Sequence, residues 1–158
     1  MNDCARRQVL DSVGRSMADN ETAKIFESSI KVRGYHEDRF GHVNNARYLE
    51  FLEEGRWDYL DTRGPKGGFA SLGVFPVVVN LNISYRRPTS AGDSLRVLTS
   101  VAETGSRKLV MHQEIFQQET DKLCCEADIT IVLVDARTGR PAVLDEQILD
   151  AWPDLKGL

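Results

Sequence analysis

The segment from Asn45 to Pro65, NARYLEFLEEGRWDYLDTRGP, most limits what this chain can fold into. At a helical period Arg47, Glu50, Glu54, Asp58 and Asp61 fall on one stripe. Tyr48, Leu49, Phe51, Leu52, Gly55, Tyr59 and Leu60 spread over the remaining surface. A helix with so wide an apolar surface must be mostly enclosed. Its ends are signalled too: Asn44 or Asn45 can accept from the free N–H groups of the first turn, and Gly64 before Pro65 predicts a left-handed stop. Almost everything else periodic in the chain has a period of two, so the enclosing material must be strands.

Those strands read as follows. Residues 25–35 form the first and lead into the polar connector HEDRFGHVNN. After the helix, Val77, Val79, Leu81, Ile83 and Tyr85 alternate with Val78, Asn80, Asn82, Ser84 and Arg86, which predicts a strand buried on one face. Turns at Ala91-Gly92-Asp93, Thr104-Gly105-Ser106 and Glu119-Thr120-Asp121 separate runs at 95–103, 108–118 and 123–135, spacings that predict an antiparallel meander. In the last run Cys125, Ala127, Ile129, Ile131 and Leu133 share a face, and a short helical pattern follows at 145–152. Strand, long helix, then four strands describe an α+β layer fold.

With 158 residues and 41% apolar side chains the chain has the material for one core and one domain, 25–158, preceded by a weakly patterned extension at 1–24. Charged residues make up 28% of the chain at a net charge of −4, so no global field draws it to nucleic acid or an anionic membrane, and an anionic ligand must be met by local groups. Cys4, Cys124 and Cys125 suit neither a disulfide framework nor a metal knuckle, which is read as a reducing compartment. The N-terminal segment carries no continuous apolar core of a leader, and the expectation is a cytoplasmic protein.

The nucleophile elbow, the phosphate-binding loop, the dinucleotide glycine fingerprint and H-E-x-x-H are all missing. The unusual text is the connector before the long helix, where Asp38, Gly41, His42, Asn44 and Asn45 gather at a helix N-terminus whose N–H groups are unpaired. A carboxylate beside such donors is equipped for acyl transfer: the donors stabilise a developing oxyanion while the carboxylate attacks or activates water. The same residues equally describe a cap and a turn. His36 and His112 lack a second ligand at metal spacing, so no metal is expected.

The run D-R-F-G-H-V-N-N-A-R-Y-L-E-F-L-E-E-G-R at 38–56, with I-S-Y-R-R-P at 83–88 and Gly92-Asp93-Ser94-Leu95 downstream, resembles the signature of hotdog-fold thioesterases of the 4-hydroxybenzoyl-CoA thioesterase type. The resemblance covers about 25–152 and implies a sheet of about five antiparallel strands wrapped around one long central helix. It implies an acyl-CoA thioesterase working without cofactor, with Asp38 as nucleophile or general base and the backbone amide of Asn45 polarising the carbonyl. Gly41, His42, Val43 and Asn44 would shape the substrate site, while Arg86, Arg87, Arg107 and Lys108 are the candidates for the nucleotide phosphates. Acyl-CoA or an acyl-carrier protein would be the partner, and a homodimer or dimer of dimers the assembly, with no nucleic acid or membrane involved. Two rivals share the fold. A hydratase or dehydratase is disfavoured, since the hydratase pattern sets aspartate and histidine five apart and Asp38 and His42 are four apart. A non-catalytic acyl-CoA binding module would leave Asp38 as a mere cap.

Overall fold

The structure, a computed structural model, describes residues 24–157. The expected extension at 1–24 therefore lies, but for Lys24, outside the described residues. Strand β1 (Phe26–Lys31) is followed by a turn of 3₁₀ helix at 34–36 and the long helix α1 (Asn45–Arg63). A short α2 (Gly68–Ser71) leads to β2 (Val74–Tyr85), β3 (Ser94–Thr104), β4 (Leu109–Gln117), β5 (Lys122–Asp135) and α3 (Glu146–Ala151). All five strands form one antiparallel sheet in the order β1-β3-β4-β5-β2.

That order corrects the expected meander. Only β3, β4 and β5 run as consecutive neighbours; β2 crosses to the far edge and pairs with β5, Tyr85 opposite Cys125. The turn at Ala91-Gly92-Asp93 thus delivers β3 to β1, not to β2: the N–H of Val32 donates to the Asp93 carbonyl at 2.9 Å. Breaks in register at Val78/Asn80, Val101/Glu103 and Ile115/Phe116 bend the strands and let the sheet curl round the helix.

One face of the sheet carries the core. Leu95, Val97, Leu109, Met111, Ile115, Ile129 and Leu133 pack on Tyr48, Phe51, Leu52 and Tyr59 of α1. Gly55 is required by this packing, since a Cβ there would lie 2.6 Å from Cγ1 of Val97. The expected enclosure of α1 holds for most of its apolar set, but Leu49 is 40% exposed. The left-handed stop does not form. Gly64 sits at φ −66° and ψ −171°, the extended backbone that a following proline favours. The reading of β2 as buried on one face holds only in part: Leu81 and Ile83 pack against the core while Asn80 and Asn82 are exposed. The irregularity near Val79 disrupts the alternation, and as an edge strand β2 leaves Phe75, Val78, Val79 and Tyr85 exposed.

A polar knot sits inside this core. Arg56 of α1 and Gln113 of β4 are both buried; Arg56 Nη1 donates to Gln113 Oε1 at 3.0 Å, and Gln113 Nε2 donates to the Leu52 carbonyl at 3.0 Å and to Thr99 Oγ1 at 2.9 Å. Burial pushes the Arg56 pKa below its usual value. Gln113→Leu removes the acceptor from a buried guanidinium and is expected to destabilise the fold by about 3 kcal/mol in urea unfolding. The double variant Arg56→Met/Gln113→Leu, which leaves no charge stranded, should recover most of that loss. Equal stability of the single and double variants would show that the knot carries no charge penalty.

Candidate functional site

The connector between the 3₁₀ turn and α1 is a tight hairpin. Glu37 and Val43 bridge in antiparallel sense, Asp38 N–H donates to the His42 carbonyl at 2.8 Å, and Gly41 N–H donates to the Asp38 carbonyl at 3.1 Å. Gly41 closes the turn at φ +75°, where a side chain would be strained. Oδ1 of Asp38 accepts from the Phe40 N–H at 2.8 Å, the side-chain-to-backbone turn that aspartate favours. One carboxylate oxygen is thus occupied by the hairpin. Asp38 itself is half-buried and lines a cleft of about 340 Å³ with Val43, Asn45, Tyr48, Tyr85, Arg86, Arg87 and Pro88.

The other end of the connector is the start of α1. Asn44 is the cap: its Oδ1 accepts from the Ala46 N–H at 2.9 Å, and its own N–H donates to the His36 carbonyl at 2.9 Å. The N–H of Asn45, the first residue of the helix, has no acceptor among the described residues. It belongs to a residue lining the same cleft as Asp38, at the positive end of the helix dipole. The cleft therefore holds a carboxylate side chain with one oxygen outside the hairpin, and a backbone donor without an acceptor among the described residues, on backbone that is fixed at both ends.

The loop between β2 and β3 does that fixing. Thr89, 2% exposed, receives the Val43 N–H on its carbonyl and shares a hydrogen bond with the Tyr48 hydroxyl, both at 2.8 Å. Ser90 Oγ donates to the Gly41 carbonyl at 2.9 Å, and the Ala91 N–H donates to Glu37 Oε1 at 2.6 Å. Tyr85 donates its hydroxyl to the Asn45 carbonyl at 3.0 Å. Burial raises the Tyr48 and Tyr85 pKa values, so both are neutral phenols at neutral pH.

Of the residues singled out in the sequence, Asp38, Val43, Asn45, Arg86 and Arg87 meet in the cleft. Gly41, His42 and Asn44 support the loop without lining it. Arg86 is paired with Glu126, and Arg87 Nη1 donates to the Leu123 carbonyl at 3.0 Å. Arg107 and Lys108 lie in the β3–β4 turn at the opposite end of the sheet, where Arg107 Nη1 donates to the Pro141 carbonyl at 2.8 Å. His36 is a structural residue: its Nδ1 accepts from the Arg33 N–H at 2.9 Å, and its ring packs on Phe51. His112 faces outward against Asp128 at 2.7 Å. Sequence reasoning missed Tyr85, Pro88 and Thr89, although the period-two pattern already put Tyr85 beyond Leu81 and Ile83 on one strand face.

A second cavity, of about 280 Å³, lies farther along the seam between α1 and β2, lined by Glu53, Arg56, Trp57, Leu60, Pro76, Val78 and Ile131. Among the described residues no cluster of His, Cys, Asp and Glu could hold a metal ion, and no helix is long and apolar enough to cross a membrane.

Known proteins share this plan. The chain is 38% identical to the long-chain acyl-CoA thioesterase FadM of Escherichia coli K12 over 77% of its own length and 92% of that protein's. It is 27% identical to the chloroplastic acyl-acyl carrier protein thioesterase ATL3 of Arabidopsis thaliana, over 72% of this chain and 60% of that one. The crystal structure of the probable thioesterase YbaW from Escherichia coli superposes at a TM-score of 0.76 with 35% identity, covering 83% of this chain and 98% of that one. A 12:0-ACP thioesterase from Umbellularia californica, at 14% identity, shares the fold with a TM-score of 0.76 over 85% of this chain and 51% of its own. The family model described as the thioesterase-like superfamily matches residues 32–152, from the end of β1 through α3 and across the cleft, and the chain belongs to that superfamily as a hotdog-fold thioesterase.

Proposed function

We propose that the protein hydrolyses acyl-CoA thioesters in the Asp38 cleft. The observation that carries this reading is the pairing, in one cleft, of a carboxylate with one oxygen outside the hairpin and a helix N-terminal N–H without an acceptor. The thioester carbonyl accepts from the Asn45 N–H, which stabilises negative charge as the carbonyl carbon becomes tetrahedral. Asp38 either attacks that carbon, giving an acyl anhydride that water then opens, or takes a proton from water as the water attacks. In both routes the carbon–sulfur bond breaks, CoA leaves as thiolate, and the carboxylic acid is released.

The acyl group is proposed to be a long apolar chain. The relative at 38% identity is a long-chain enzyme, and α1 and β2, which both contribute to the cleft, also line the second cavity. Asn45 and Arg56 are about 16 Å apart along the helix, taking the usual rise per residue. The Arg87 side chain at the cleft is proposed to meet a CoA phosphate, with Arg86 competing between phosphate and Glu126.

The assembly is proposed to be a homodimer or dimer of dimers. Exposed Phe75, Val78 and Val79 of β2, together with exposed Leu49 and Trp57 of α1, offer apolar surface at a strand edge that is unpaired among the described residues. Pairing of two β2 edges across a two-fold axis is antiparallel. It carries the end of the second copy's sheet that bears the β3–β4 turn toward this cleft, which gives Arg107 and Lys108 a route to the phosphates. Light scattering should then give two or four times the chain mass, and Val79→Lys should shift it toward the monomer. A monomeric wild-type protein would sink the assembly.

Thiol release from short, medium, long and aromatic acyl-CoAs tests the reaction. Wild type should turn over long-chain members fastest, and Asp38→Asn should lose at least roughly a hundredfold in kcat. Equal slowness of both proteins on every substrate would refute hydrolysis of CoA esters. The donor is tested separately, because proline is tolerated at the first position of a helix but has no N–H. Asn45→Pro should be slower than Asn45→Ala by about a hundredfold or more, with both variants folded by circular dichroism. Similar rates would remove the Asn45 amide from the mechanism.

A further inference from the structure

We propose that Tyr85 is a positioning residue for hydrolysis: its hydroxyl holds the first turn of α1 in place and so aims the Asn45 N–H at the substrate carbonyl. The inference rests on the proposed use of that N–H. Three observations carry it. The Tyr85 hydroxyl donates to the carbonyl of the same residue whose N–H is unspent, at 3.0 Å, across the boundary between β2 and α1. Its ring stands edge-on to Tyr48 with centroids 5.5 Å apart, and Tyr48 is tied to Thr89, so the phenol approaches the helix from a fixed direction. Tyr85 also lines the cleft, while its place at the end of β2 makes it the last residue of an edge strand paired to β5.

The physical need for such a tie comes from the helix end itself. The first-turn N–H groups lack the intrahelical bonds that stiffen the middle of a helix, and terminal turns fray. Asn44 caps through the Ala46 N–H, and Thr89 holds the connector through Val43, but neither grips the residue that carries the donor. Tyr85 does, from the opposite wall of the cleft. An oxyanion donor acts through its geometry at the transition state, so a displacement well under 1 Å is felt in kcat more than in ground-state binding.

Tyr85→Phe removes only the hydroxyl and keeps the ring on Tyr48. The expected result is a fall in kcat of about tenfold with KM within about twofold of wild type and no change in melting temperature beyond a few degrees. A spectroscopic reading accompanies it. With Asp38→Asn protein holding a carbonyl-¹³C-labelled acyl-CoA, infrared difference spectra should show the thioester band shifted to lower frequency. Adding Tyr85→Phe should move that band back toward its value in water. An unchanged kcat, a rise in KM at constant kcat, or an unmoved carbonyl band would overturn the proposal and leave Tyr85 as a wall of the cleft. Those outcomes with an active wild type would leave the hydrolase reading standing, whereas an inactive wild type across the acyl-CoA panel would sink both.

Discussion

A helix enclosed along most of its length can offer chemistry mainly at its ends, and α1 is such a helix. Tyr48, Phe51, Leu52 and Tyr59 are between 0% and 3% exposed, so most of its inner surface is committed to the sheet. The two ends are treated differently. At the C-terminal end Trp152 packs on Tyr59 and donates Nε1–H to the Tyr59 hydroxyl at 3.2 Å, while that hydroxyl donates to Asp154 at 3.0 Å. That end is closed by side chains. At the N-terminal end the closing material is a hairpin and a loop, and backbone donors stay available. The location of the cleft follows from this asymmetry more than from any single residue.

Burying α1 also forces a polar compromise. Arg56 is drawn into the core by the helical period, and its charge is accommodated by a neutral amide, Gln113, that in turn satisfies the Leu52 carbonyl and Thr99. The knot pins α1 to β3 and β4 midway along its length. With the middle pinned by Gln113 and the start held by Thr89 and Tyr85, α1 has little freedom to slide along the sheet. A site that depends on one N–H at the helix start benefits directly from that.

Much of this was legible before any coordinates. The wide apolar surface of 45–63 located the helix, the N-cap lay at one of its two candidates, Asn44, and the turn residues located β3, β4 and β5 nearly to their ends. Strand order was not legible, because a period of two reports which face is buried and says nothing about which strand lies alongside; β2 therefore looked like the first rung of a meander when it is the far edge. The burial of Arg56 was not legible either, because only the side-chain amide of Gln113, brought up by the sheet, makes it tolerable. In the site, Asp38 and Asn45 were named by resemblance and the structure brings both to one cleft. Tyr85 and Thr89 act through contacts some forty residues distant, which no local pattern encodes.

A thioesterase liberates a thiol with every turnover, and once an oxidant has converted that thiol to its disulfide it becomes a reagent toward protein cysteines. Exchange needs an accessible sulfur in its thiolate form. Cys124 and Cys125, at the start of β5 next to Tyr85, are 2% and 0% exposed, and burial pushes the Cys125 thiol up to about 12 and the Cys124 thiol above its usual value. Two cysteines that look like inert filler are thereby shielded from exchange with the oxidised, disulfide form of the released product. The strand that flanks Tyr85 stays chemically silent while product accumulates around it.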